Sequence, residues 1–77
     1  MNLSEVQEKL VQMIVSNSYV IHQQEVDKLA IEYGLFKNQL IDSINEKCSL
    51  HLDGEALIEE DDENYTIEKS YFKEIAL

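Results

Sequence analysis

The side chains with the most chemistry to offer are the carboxylates of Glu59-Glu60-Asp61-Asp62-Glu63. Carboxylate oxygens are hard ligands, and Ca²⁺ gathers about six to eight of them. With Asp61, Asp62 and Glu63 in a hairpin loop and Glu59 and Glu60 beside it, the run can offer several ligands to Ca²⁺ or Mg²⁺. No register places Asp or Asn at loop positions one, three and five, Gly at six and Glu at twelve, so an EF-hand is excluded. Two other readings fit the same run: a solvated loop that keeps an edge strand soluble, and a contact surface for a protein partner. Cys48 and His51 lie three residues apart, on the third predicted helix. Structural Zn²⁺ needs four ligands, and His22, on a separate segment, is the other soft candidate. A Cys48 nucleophile with a histidine base is available on paper. Its place on an apolar stripe argues instead for an inert buried thiol. Paired carboxylates do acid–base work only in a pocket that raises one pKa, which a solvated loop does not provide. The chain therefore reads as non-enzymatic.

The charge balance narrows the partners. Sixteen Asp and Glu stand against six Lys and no Arg in 77 residues, a net charge of −10. Nucleic-acid affinity rests on cations at phosphates, and Arg supplies the favoured fork to bases and phosphates. Direct nucleic-acid binding is not expected, and anionic membranes repel the chain for the same reason. A protein partner with a basic surface suits it. Between Lys47 and Lys69 there is no Lys, while eight acids fall in that interval.

The elements that must position these groups are few. A chain this short buries roughly 60% of its unfolded surface, enough for one domain over residues 1–77, either whole or a module of a larger protein. Apolar residues make up 44%, which argues for a folded core. The lone Cys48 excludes an internal disulfide. It fits a cytoplasmic location. The N-terminus lacks the basic and apolar regions of a signal peptide, and the apolar runs are far shorter than a spanning helix needs.

The first helix is predicted over 5–15, with Leu3, Val6, Leu10, Met13 and Ile14 on one stripe and Ser4 and Gln7 as a capping box. Tyr19-Val20-Ile21 reads as a short strand. A second helix is predicted over 24–33, with Val26, Leu29, Ala30 and Tyr33 on one face. Gly34 is its left-handed cap and Leu35 folds back over the last turn. Asn38 is expected to cap a third helix carrying Leu40, Ile41, Ile44, Cys48 and Leu52. Two strands follow, over 56–59 and 64–68, and Ser70 caps a last turn with Tyr71, Phe72 and Ile75. The order helix-strand-helix-helix-strand-strand predicts an α+β, winged-helix-like domain with an acidic hairpin. Its core centres on Leu10, Ile14, Leu29, Ile44 and Leu57. In a DNA reader the third helix leads with basic residues; here it shows Asp42, Asn45, Glu46 and Lys47, and the wing shows Glu59 to Glu63.

From Glu25 to Glu68 the chain resembles the TerB-C domain found in tellurite-resistance-type stress proteins. The resemblance is carried by Glu25-Val26-Asp27-Lys28-Leu29-Ala30, Tyr33-Gly34-Leu35-Phe36, Ile44-Asn45-Glu46 and Leu57-Ile58-Glu59-Glu60-Asp61. Two departures stand out: Val20 or Ile21 where that family has tryptophan, and Lys37-Asn38 in place of a Pro-Asp-like turn. The resemblance implies a small accessory domain of a larger cytoplasmic bacterial protein, with an acidic surface that chelates metal. Matched by position, Glu25, Glu46, Glu59, Glu60 and Asp61 form that surface and are the expected partner contacts; Asn45 matches too. The expectation is thus an acidic interaction module. Divalent-metal chelation in a tellurite or stress-response system, or a DNA-mimic inhibitor with Asp42 and Glu46 along one face, are the alternatives.

Overall fold

The computed structural model describes residues 2–75. Seven elements follow in order: α1 (Glu5–Ser16), β1 (Val20–His22), α2 (Gln23–Glu32), α3 (Lys37–Ser49), β2 (Ile58–Asp61), β3 (Asn64–Ile67) and α4 (Lys69–Ile75). The architecture is α+β, four helices with one antiparallel three-stranded sheet in the order β1-β3-β2.

Each helix forms where its apolar spacing meets a cap. Ser4 Oγ accepts from the Gln7 N–H at 3.4 Å and Gln7 Oε1 accepts from the Ser4 N–H at 2.8 Å, the expected capping box. α2 ends in a Schellman motif: the Gly34 N–H reaches the Ile31 carbonyl at 3.0 Å and the Leu35 N–H the Ala30 carbonyl at 2.8 Å. Gly34 takes φ 71, a conformation that disfavours a Cβ. The start of α2 differs from the expectation. His22 is its N-cap, with Nδ1 accepting from the Gln24 N–H at 3.1 Å. α3 begins two residues earlier than an Asn38 cap requires; Phe36 is the N-cap and Asn38 sits inside the first turn. Gln39 Oε1 accepts from the Phe36 N–H at 3.5 Å, so the reach-back from the third helical residue replaces an N-cap side chain. Ser70 likewise lies within α4 rather than capping it, and bonds the Glu68 carboxylate at 3.4 Å.

The core gathers from all these elements. Leu10, Ile14, Leu29, Ile44 and Leu57, the expected centre, are all buried, joined by Val11, Val26, Leu40 and Cys48. Leu52 is buried although it lies beyond the end of α3. Tyr33 is the exception on the α2 stripe: its ring reaches the surface, where the Lys9 ammonium sits 5.8 Å from its centroid. Gln7 is the one buried polar residue among those described; it donates to Ser43 Oγ at 2.9 Å and accepts from Lys47 Nζ at 2.9 Å, tying α1 to α3. Tyr71 and Phe72 are half-buried against the core, and Phe72 meets Tyr19 edge-on at 6.2 Å.

Side-chain amides cover both sheet edges. Asn17 Nδ2 donates to the Val20 carbonyl at 2.8 Å beside β1. Asn45, from α3, takes both backbone groups of Ile58 beside β2. Edge groups held this way are withdrawn from pairing with other chains.

Candidate functional site: an exposed carboxylate surface

β2 starts two residues later than its apolar run suggests, and this redistributes the acids. Glu60 and Asp61 join Glu59 in the strand instead of the loop, and the connection to β3 is the two-residue turn Asp62-Glu63. Asp62 takes φ 61 there, a left-handed conformation that Asp tolerates better than most residues. Strand alternation sends neighbouring side chains to opposite faces. Glu59 pairs with Thr66 and Asp61 with Asn64, which places both acids on one face; Glu60 pairs with the buried Tyr65 and takes the other. Glu63 turns back toward α2: its carboxylate lies 3.6 Å from His22 Nε2 and its carbonyl accepts from the Gln23 N–H at 2.8 Å. Among the described residues, no three His, Cys, Asp or Glu side chains form a group placed to hold a metal ion.

The other nominated acids sit on helices. Glu46 is on α3, next to the Asn45 that holds Ile58, so it stands close in the chain to the contact that joins α3 to β2. Glu25 is elsewhere. It lies within ion-pair distance of Lys28 Nζ, 3.3 Å, and lines a cleft of about 500 Å³ with Lys9, Met13 and Ile21. The Asn45–Ile58 contact joins the elements that carry Glu46 and Glu59 to Asp61, while Glu25 lies on α2 beside α1 and β1.

Cys48 and His51 stand in different settings. Cys48 is buried in α3, where burial pushes its thiol pKa up, and His51 lies in the turn beyond the helix, exposed. A thiol held protonated is a poor nucleophile.

Charge compensation is sparse. All sixteen Asp and Glu side chains are exposed. Among the described residues, Glu25 is the one within ion-pair distance of a lysine nitrogen, and Glu63 faces the His22 ring, whose Nδ1 accepts from the Gln24 N–H. Four of the six lysines are directed elsewhere. Lys9, Lys37 and Lys69 stand over the rings of Tyr33, Tyr65 and Tyr19. Lys47 donates to the Asn2 carbonyl at 3.1 Å and to Gln7.

Sequence reasoning missed three working residues. His22 is not a common cap, though its place just before an apolar-periodic run was a signal. Gln7 was read for its cap alone, though it falls in step with Leu3, Leu10 and Ile14. Asn45 was matched by position, and its clamp joins residues thirteen apart.

The fold and this surface define a small α+β domain whose carboxylates all face solvent, with few cations set against them. The chain belongs to the TerB-C domain family, which it matches over residues 1–76. That places it with the accessory modules of tellurite-resistance-type proteins. Comparison with curated proteins found no match, and comparison with solved structures found none either. No helix among the described residues is long and apolar enough to cross a membrane.

Proposed function

We propose that this domain is a non-enzymatic, acidic accessory module that contacts a protein partner with a basic surface, either a separate protein or a neighbouring domain. The observation that carries the reading is the uneven use of charge: sixteen exposed carboxylates, with one, Glu25, in a lysine ion pair among the described residues. An exposed surface of one sign speeds encounter with a complementary partner and rejects partners of its own sign. Glu46, Glu59, Glu60 and Asp61 are its centre in this account, and Glu25 is a peripheral member. The element order α1-β1-α2-α3-β2-β3 supports a winged-helix-like reading in which β2 and β3 form an acidic wing. Fold does not fix function, and acids in place of basic residues make that wing unsuited to phosphate. A cytoplasmic setting fits this account.

The test is charge reversal of Glu59→Lys, Glu60→Lys and Asp61→Lys together. All three side chains are exposed, so the fold is expected to survive, as amide NMR would report. Capture of the partner by the full chain is expected to be lost in the variant and to weaken with salt. Capture that survives both the reversal and high salt overturns the reading.

A further inference from the structure

The exposed ridge of α3 carries a second pattern that the acids alone do not explain. Gln39, Asp42 and Glu46 follow one another at spacings of three and four on one side of α3, the N-cap Phe36 and the C-cap Leu50 flank them, and all five are exposed. The two ends are large and apolar: Phe36 is 82% exposed and Leu50 is 90% exposed. Each stands alone as an apolar side chain on a polar surface. The two acids lie between them. Lys47, the nearest cation in the chain, has its ammonium held by Gln7 and the Asn2 carbonyl, at the start of α1. The ridge thus presents an apolar anchor, two carboxylates and a second apolar anchor over about 20 Å.

The geometry points to this ridge as the seat of an amphipathic helix of a protein partner, with apolar residues meeting Phe36 and Leu50 and Lys or Arg side chains meeting Asp42 and Glu46. This rests on the reading of the domain as an acidic contact module and names the surface and the partner chemistry. Charge selects the occupant. A second copy laid on the same ridge brings Asp42 and Glu46 against their own kind, which is repulsive. Duplex DNA meets the same carboxylates with phosphates. A basic helix satisfies both the apolar ends and the acidic middle, and such helices dock through anchors at helical spacing.

The probe is a short synthetic helix of Leu and Lys at helical spacing, beside a control peptide with the same Lys content and Ser for Leu. Both are titrated into the full chain and followed by backbone amide NMR. The expected result is saturable shifts from Phe36 to Leu50 with the Leu-bearing peptide. Phe36→Ser with Leu50→Ser is expected to weaken it by about tenfold or more. Both sites are exposed and Ser is a favoured N-cap, so this variant keeps its fold. Shifts confined to Glu59–Glu63 with either peptide, unchanged by the Ser variant, overturn the ridge proposal and leave the acidic-surface reading standing. No saturable shift with either peptide overturns both. Self-association of the chain through the ridge, seen as slowed tumbling lost in the Ser variant, assigns the face to a second copy and overturns the proposal.

Discussion

The carboxamide of Asn45 holds both backbone groups of Ile58: Nδ2 donates to the carbonyl at 3.0 Å and Oδ1 accepts from the N–H at 2.8 Å. Ile58 pairs with Ile67 across β2 and β3, so Asn45 acts from the side away from β3 as a neighbouring strand would. The flanking residues complete the unit. Ile44 and Leu57 are buried, while Glu46, Glu59 and Glu60 are exposed. The segments Ile44-Asn45-Glu46 and Leu57-Ile58-Glu59-Glu60 are therefore one structural device, which ties the acidic strand β2 to α3.

Asn45→Ala removes both bonds and leaves Ile58 with unmet backbone groups. The expected loss is about 1–3 kcal/mol, read as a lower urea midpoint at unchanged slope. A variant as stable as the parent would show that the clamp does not hold the edge of β2.

Gly34→Ala tests the α2 cap. A Cβ at Gly34 meets nothing within 4 Å, so any penalty comes from the backbone at φ 71. The expected loss is about 1–2 kcal/mol. Thermal unfolding would detect it as a fall of several degrees, given about 4–8 °C per kcal/mol for a domain this small.

Cys48 gives the pH dependence. Burial raises its pKa above the ordinary thiol value of 9.0. The folded state therefore holds the thiol proton more tightly than the unfolded chain does. That contribution is whole below the unfolded thiol's pKa and is lost as pH climbs from there through the higher folded value. Stability is expected to fall in this alkaline window, with a shallower fall in Cys48→Ala. Identical slopes in the two proteins would contradict the assignment.

Divalent cations are expected to do little beyond screening. Glu59 and Asp61 share a face of β2, Glu60 takes the other, and Glu63 turns toward His22. Amide shifts with Ca²⁺, Mg²⁺ or Mn²⁺ are expected to match a monovalent salt of equal ionic strength. Saturable, chelator-reversible shifts at Glu59–Glu63 would replace this expectation with a metal site.

Much of the fold was legible because it depends on period and caps. The stripes through Leu10 and Ile14, Val26 and Leu29, and Leu40, Ile44 and Cys48 repeat at helical spacing and are buried as such. Ser4 with Gln7, and Gly34 with Leu35, act over three to five residues, a range that sequence shows directly. Contacts between distant segments were not legible. β2 begins at Ile58, where pairing with Ile67 starts, rather than at Ala56, and Asn45, thirteen residues earlier, holds its outer edge. That shift brings Glu60 and Asp61 into the strand with Glu59, where alternation separates neighbours. Phe36 rather than Asn38 starts α3, since the Gln39 side chain reaches back to the Phe36 N–H. The exposure of Phe36 and Leu50 was hidden for the same reason: it depends on which side of α3 the rest of the chain covers.

The measurement that tests the central claim most directly is zero-length carboxylate-to-lysine cross-linking of the full chain with its captured partner, mapped by mass spectrometry. The account predicts that Glu46, Glu59, Glu60 and Asp61 join lysines clustered on one protein surface. Links spread evenly over all sixteen acids, or none to any protein, would contradict it.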